Sequence, residues 1–117
     1  MNILNFFRKP KQIDRVIYDD IAVTRTRSDG VEETIRWVDL HEVGILTTDE
    51  GPVREDVFYL LIAEDGKSVC VVPQSSEGCD QLLERLQELP GFYNEAVIKA
   101  MGSTSNAKFV CWKRQVA

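Results

Sequence analysis

The sequence holds one histidine and three cysteines among 117 residues. A single histidine excludes histidine-rich metal sites and leaves little room for imidazole-driven proton transfer. An odd number of cysteines, with no Cys-x-x-Cys or Cys–His spacing, argues against a disulfide framework and a zinc site. It points instead to a reducing cytoplasm. No apolar run approaches the roughly 20 residues that cross a bilayer as a helix. Gly-rich phosphate loops and Ser–His–Asp constellations in a recognisable context are missing too. What is present, 44% hydrophobic and 28% charged residues, is the balance of one globular domain.

Charge is distributed in blocks beneath a net −5. Residues 29–65 carry eleven carboxylates against Arg36 and Arg54, a net −9. The flanks are basic: Arg8, Lys9 and Lys11 stand at the start, Lys108, Lys113 and Arg114 near the end. An acidic middle repels nucleic-acid phosphates and anionic lipid and attracts basic partners. The same block also serves a plainer purpose as a solvated face that keeps the protein dispersed.

Residues 1–12 read as a short basic amphipathic arm, and residues 13–117 as a single domain. Ile3, Leu4, Phe6 and Phe7 precede the basic residues, the reverse of a secretory signal. Pro10 stops any helix there after a turn or two. Such an arm docks on its own domain, frays, or touches a membrane weakly through Phe6, Phe7, Arg8 and Lys9.

From Ile13 to Pro73 the pattern predicts an antiparallel meander of about six strands, closed as a roll or left as an open sheet. Ile13, Val16, Ile17 and Tyr18 begin it, stopped by Asp19–Asp20. Val23, Arg25 and Arg27 share one face of the next strand, with Thr24 and Thr26 on the other. Asp29–Gly30 and Asp65–Gly66 are hairpin signals, since tight turns need the positive φ that glycine supplies. Val57–Ala63 is apolar at every position, as in a central strand covered on both faces. The period then changes. Leu82, Leu83, Leu86 and Leu89 fall at helical spacing, with Ser75 or Ser76 as cap and Pro90–Gly91 as stop. Asn94 caps a shorter second helix that Gly102 closes, and Ala107–Trp112 forms a final strand. The fold class is α+β.

The stretch Ile35–Arg36–Trp37–Val38–Asp39–Leu40–His41–Glu42–Val43 resembles a segment of small bacterial pleckstrin-homology-like domains. That resemblance covers roughly Ile13 to Leu89 and implies a strand roll closed by a helix, with Trp37 anchored in the core and Asp39 capping the turn. It also implies, in lipid-binding members, a basic hairpin that holds phosphoinositide headgroups. Here Asp29, Glu32 and Glu33 surround Arg25 and Arg27, which makes a poor anion site.

Candidate chemistry is sparse. His41 beside Asp39 and Glu42 lacks a nucleophile and reads as a surface or capping residue. Cys70 and Cys111 occupy apolar strand positions, where thiols behave as small hydrophobes. Cys79 near a helix start has no paired histidine to activate it. Asp49, Glu50, Glu55 and Asp56 surround Gly51–Pro52 without the alternating oxygen ligands of a calcium loop. No cofactor, metal site or catalytic group is therefore expected.

The expectation is a non-enzymatic cytoplasmic protein-interaction domain whose acidic surface binds a basic partner, a toxin-immunity protein being its most concrete form. The carboxylates assigned to that surface are Asp29, Glu32, Glu33, Asp49, Glu50, Glu55 and Asp56. The alternatives are a peripheral membrane adaptor using the N-terminal arm, and a carrier with an apolar pocket lined by Tyr59, Trp37 and Leu86.

Overall fold

Short alternating segments separated by Asp-Gly turns fold as strands, and the computed structural model describes residues 14–49 and 56–115. Six strands come first: β1 (Arg15–Tyr18), β2 (Ala22–Thr26), β3 (Glu32–Arg36), β4 (Leu40–Thr47), β5 (Val57–Ala63) and β6 (Val69–Pro73). Helices α1 (Cys79–Leu86) and α2 (Asn94–Met101) follow, then β7 (Ala107–Lys113). The protein is α+β. The arm at residues 1–12 lies outside the described residues.

The strands divide into two antiparallel sheets, ordered β1-β2-β3 and β6-β5-β4-β7. A 3-10 turn at Trp37–Asp39 separates them. The last strand therefore pairs within the chain, along β4. Turn chemistry follows the sequence closely. The Asp19 carboxylate accepts the Ile21 and Ala22 N–H groups, both at 2.8 Å, and reverses the chain between β1 and β2. Gly30 and Gly66 take φ of +89° and +70° at the two hairpins, where a side chain would be strained.

Both sheets contribute to one core. Val16, Val23 and Ile35 come from the first sheet; Leu40, Val43, Ile45, Tyr59, Leu61, Cys70 and Val72 come from the second. Leu82 and Leu86 of α1 and Ala96, Val97 and Ala100 of α2 complete it. Each large aliphatic side chain buried this way stabilises the fold by about 1.5–3 kcal/mol. In β5, Val57, Tyr59, Leu61 and Ala63 are buried while Phe58, Leu60 and Ile62 are half-buried, so one face is more fully covered than the other.

Polar contacts fasten the first sheet to the rest. The Val16 N–H donates to the Glu77 carbonyl at 2.8 Å, and the Glu77 N–H donates to the Asp14 carbonyl at 2.9 Å. The Val71 N–H of β6 donates to the Glu33 carboxylate at 3.3 Å.

Several local expectations change. Helix α1 begins at Cys79 after Gly78, rather than at Ser75 or Ser76, because residue 77 is already paired with β1. Leu89 lies beyond α1, in the turn that follows, yet still packs against the core. Asn94 is the first residue of α2, and Tyr93 stands at the cap. His41 lies inside β4 at a register shift between Leu40 and Glu42, rather than after a strand end. Trp37 sits in the 3-10 turn, half-buried, and not in a strand.

Candidate interaction surfaces

Register decides where the acidic residues lie. Thr47 pairs with Val57, and Phe58 pairs with Pro73, so the β4–β5 connection and the end of β6 share one end of the second sheet. The β2–β3 hairpin reaches the same end. Asp14, whose carbonyl accepts the Glu77 N–H, also accepts the Ser28 N–H and the Arg25 guanidinium with its carboxylate. Two strand spacings, about 10 Å, separate β6 from β4 across this end.

The seven carboxylates assigned to the surface do not play one role. Asp29 is exposed in the hairpin, where it accepts the Val31 N–H and pairs with Arg27 at 3.0 Å. Glu32 is exposed on β3, Asp49 is exposed after β4, and Asp56 is half-buried before β5. Glu32, Asp49 and Asp56 form no ion pair among the described residues. Glu50 and Glu55 lie outside the described residues.

Glu33 turns inward. Its carboxylate meets Arg25 at 3.4 Å as well as the Val71 N–H, while Asp14 holds the other side of Arg25 at 2.9 Å. The Arg25 side chain is only 13% exposed, so this cluster fastens the seam between the sheets. A buried guanidinium needs such partners; the two carboxylates supply them to its terminal nitrogens, while Nε has none among the described residues.

At the opposite end, where β3 gives way to β4, two grooves open. One, of about 580 Å³, is lined by Arg36, Asp39, Glu64, Asp65 and Ser68 among others. Two of its charged groups satisfy each other, and a third is held by backbone N–H groups. Arg36 pairs with Asp39 at 2.8 Å, which raises the Arg36 pKa. Asp65 accepts the Ser68 and Lys67 N–H groups, and those bonds hold its pKa below the ordinary value of 3.8.

The second groove, of about 410 Å³, is lined by Trp37, Val38, Arg85, Leu89, Pro90, Trp112, Arg114 and Gln115. Three elements build it: the 3-10 turn, the end of α1 and the end of β7. The Trp37 indole N–H donates to the Asp19 carbonyl and the Trp112 indole N–H to the Pro90 carbonyl, both at 2.8 Å. Arg85 lies over the Trp37 ring at 4.4 Å, and Arg114 over the Trp112 ring at 5.5 Å. Arg114 also donates to the Leu40 and Trp37 carbonyls at 2.8 Å each, tying the turn to β7. Sequence reading missed this groove. Trp112 is the core aromatic its strand position suggests, with an edge at the groove, whereas Trp37 is half-buried; the arginines stand on different elements, so only the fold brings these residues together.

Nucleophilic groups elsewhere are closed off. Cys70, Cys79 and Cys111 are all buried. Burial pushes the Cys70 thiol up to about 12, with the Glu33 charge adding to the effect and Arg25 opposing it. Burial likewise pushes Cys111 up to about 11 and Tyr59 to about 12. Tyr59 and Leu86 are packed into the core while Trp37 lines the outer groove, so those three do not enclose a common carrier pocket. Among the described residues, no three His, Cys, Asp or Glu side chains are gathered for a metal, and no helix is long and apolar enough to cross a membrane.

No protein-family model, curated protein or solved structure matches this chain.

Proposed function

We propose that the chain is a non-enzymatic protein-interaction domain that presents its acidic end to a basic partner protein. The observation that carries this reading is that the register of β4, β5 and β6, with the Asp14 bonds to Ser28 and Glu77, sets the β2–β3 hairpin at the same end as the close of β4 and the start of β5. Asp29, Glu32, Asp49 and Asp56 supply its carboxylates, Glu33 being committed to the seam. Negative charge concentrated in this way steers a cationic surface during encounter and fixes its orientation. A nuclease toxin with a cationic active cleft is the most specific partner of that chemistry, and the chain would then act as its immunity protein in the cytoplasm.

Calorimetric titration with a short lysine-rich peptide tests the reading. Binding is expected to weaken steeply between low and high salt. Replacing Asp29 and Asp49 by Asn, and Glu32 by Gln, is expected to lower affinity by about tenfold, or about 1.4 kcal/mol. Unchanged affinity in that triple variant overturns the assignment to this end.

A further inference from the structure

Six arginines lie among the described residues, and their partners divide them sharply. Arg15, Arg25, Arg27 and Arg36 each pair with a carboxylate. Arg85 and Arg114 pair with none among the described residues, although the chain carries 19 acidic residues against 14 basic ones. Both unpaired guanidiniums line the same groove, each over a tryptophan ring. Stacking fixes the Arg85 guanidinium's plane while leaving its N–H edge free for a carboxylate, the geometry of a bidentate contact. Arg114 spends Nε and Nη2 on the Leu40 and Trp37 carbonyls and contributes its positive charge beside it.

The groove is also apolar at its rim. Val38 is 71% exposed and Ile21 is 68% exposed beside it, the Trp37 N–H donating to the Ile21 carbonyl. Tyr18 extends the same surface, edge-on to Trp37 at 6.3 Å. Tryptophan and arginine around a small apolar recess are the residue types that dominate binding energy at protein interfaces.

We infer that this groove is a second binding site, independent of the acidic end, for an acidic peptide segment of a partner protein. The segment places a carboxylate on Arg85, within the field of the Arg114 charge, and an aliphatic side chain against the apolar rim at Trp37 and Val38. Tryptophan and arginine also suit a stacked nucleic-acid base, but the chain's net −5 opposes a phosphate backbone.

Both tryptophans of the chain line the groove, so intrinsic fluorescence reads occupancy directly. The probe is an end-blocked peptide with leucine between two glutamates, titrated into the full chain. Its controls are the same peptide with glutamines and an oligodeoxythymidylate. The glutamate peptide is expected to give a saturable change, with at least about tenfold weaker binding for the glutamine peptide and for Arg85→Gln. The lysine-rich peptide is expected to bind Arg85→Gln as it binds the parent, which separates this site from the acidic end. Equal responses to the glutamate and glutamine peptides overturn the proposal, as does tighter binding of the oligonucleotide. If Arg85→Gln does not fold, as judged by its thermal transition, salt dependence of the parent decides: glutamate-peptide binding indifferent to salt overturns it.

Discussion

Removing the Glu33 carboxylate leaves the Arg25 guanidinium with Asp14 as its one carboxylate among the described residues and takes the acceptor from the Val71 N–H. Glu33→Ala is therefore expected to cost about 1–3 kcal/mol in urea denaturation, as a partly buried charged network does when one member is lost. Glu32→Gln, on the neighbouring exposed position, is expected to change stability by less than about 0.5 kcal/mol. Equal effects of the two would show that Glu33 does not fasten the seam. The thiols offer a second check at this scale. Burial raises Cys70 and Cys111 to about 12 and about 11, so neither thiol supplies appreciable thiolate at neutral pH. Alkylation followed by mass spectrometry is expected to label neither in the native protein and both after denaturation; native labelling at the rate of a free thiol would contradict the packing.

Among the elements, α1 depends on a single left-handed residue. Gly78 has φ of +89°, and a Cβ there would collide with the Val16 carbonyl oxygen of β1. Gly78→Ala is expected to cost at least about 1–2 kcal/mol from backbone strain alone. It is also expected to speed hydrogen exchange at the Val16 N–H, which bonds to Glu77. Unaltered exchange would mean that β1 docks without this contact. The hairpin at Asp65 carries a pH dependence. Hydrogen bonds from Ser68 and Lys67 lower its folded pKa below 3.8, so its contribution is present above that value and is lost as pH falls through the folded pKa. Asp65→Asn keeps an acceptor oxygen but not the titration. Its stability is expected to fall less than the parent's below about pH 4, read by thermal melts across that range. Parallel loss in both proteins would remove Asp65 as a source.

These elements also show what was legible in the chain. Asp29–Gly30 and Asp65–Gly66 announced their turns because glycine alone accepts positive φ cheaply, and alternation fixed the strand faces. The start of α1 was not legible: Ser75 and Ser76 are good caps locally, but residue 77 is taken by pairing with residue 15, some sixty positions away. Glu33 was equally opaque, since an alternating strand gives no sign that one of its acids meets a second sheet.

For the molecule as a whole, strand register matters more than composition. The acidic block of residues 29–65 is divided by the fold. Asp29, Glu32 and Asp49 face solvent at one end, Glu33 closes the seam, and Asp39, Glu64 and Asp65 stand at the opposite end near Arg36. The Arg85–Arg114 groove arises from side chains that only the folded arrangement of α1, the 3-10 turn and β7 brings together. Amide chemical-shift mapping with the lysine-rich peptide distinguishes the ends of the molecule in one spectrum. Shifts concentrated at residues 28–32, 48–49 and 56, with both indole N–H signals unmoved, are the expected result. Shifts centred instead on Asp39, Glu64 and Asp65, or spread evenly over the surface, would contradict recognition through the acidic end.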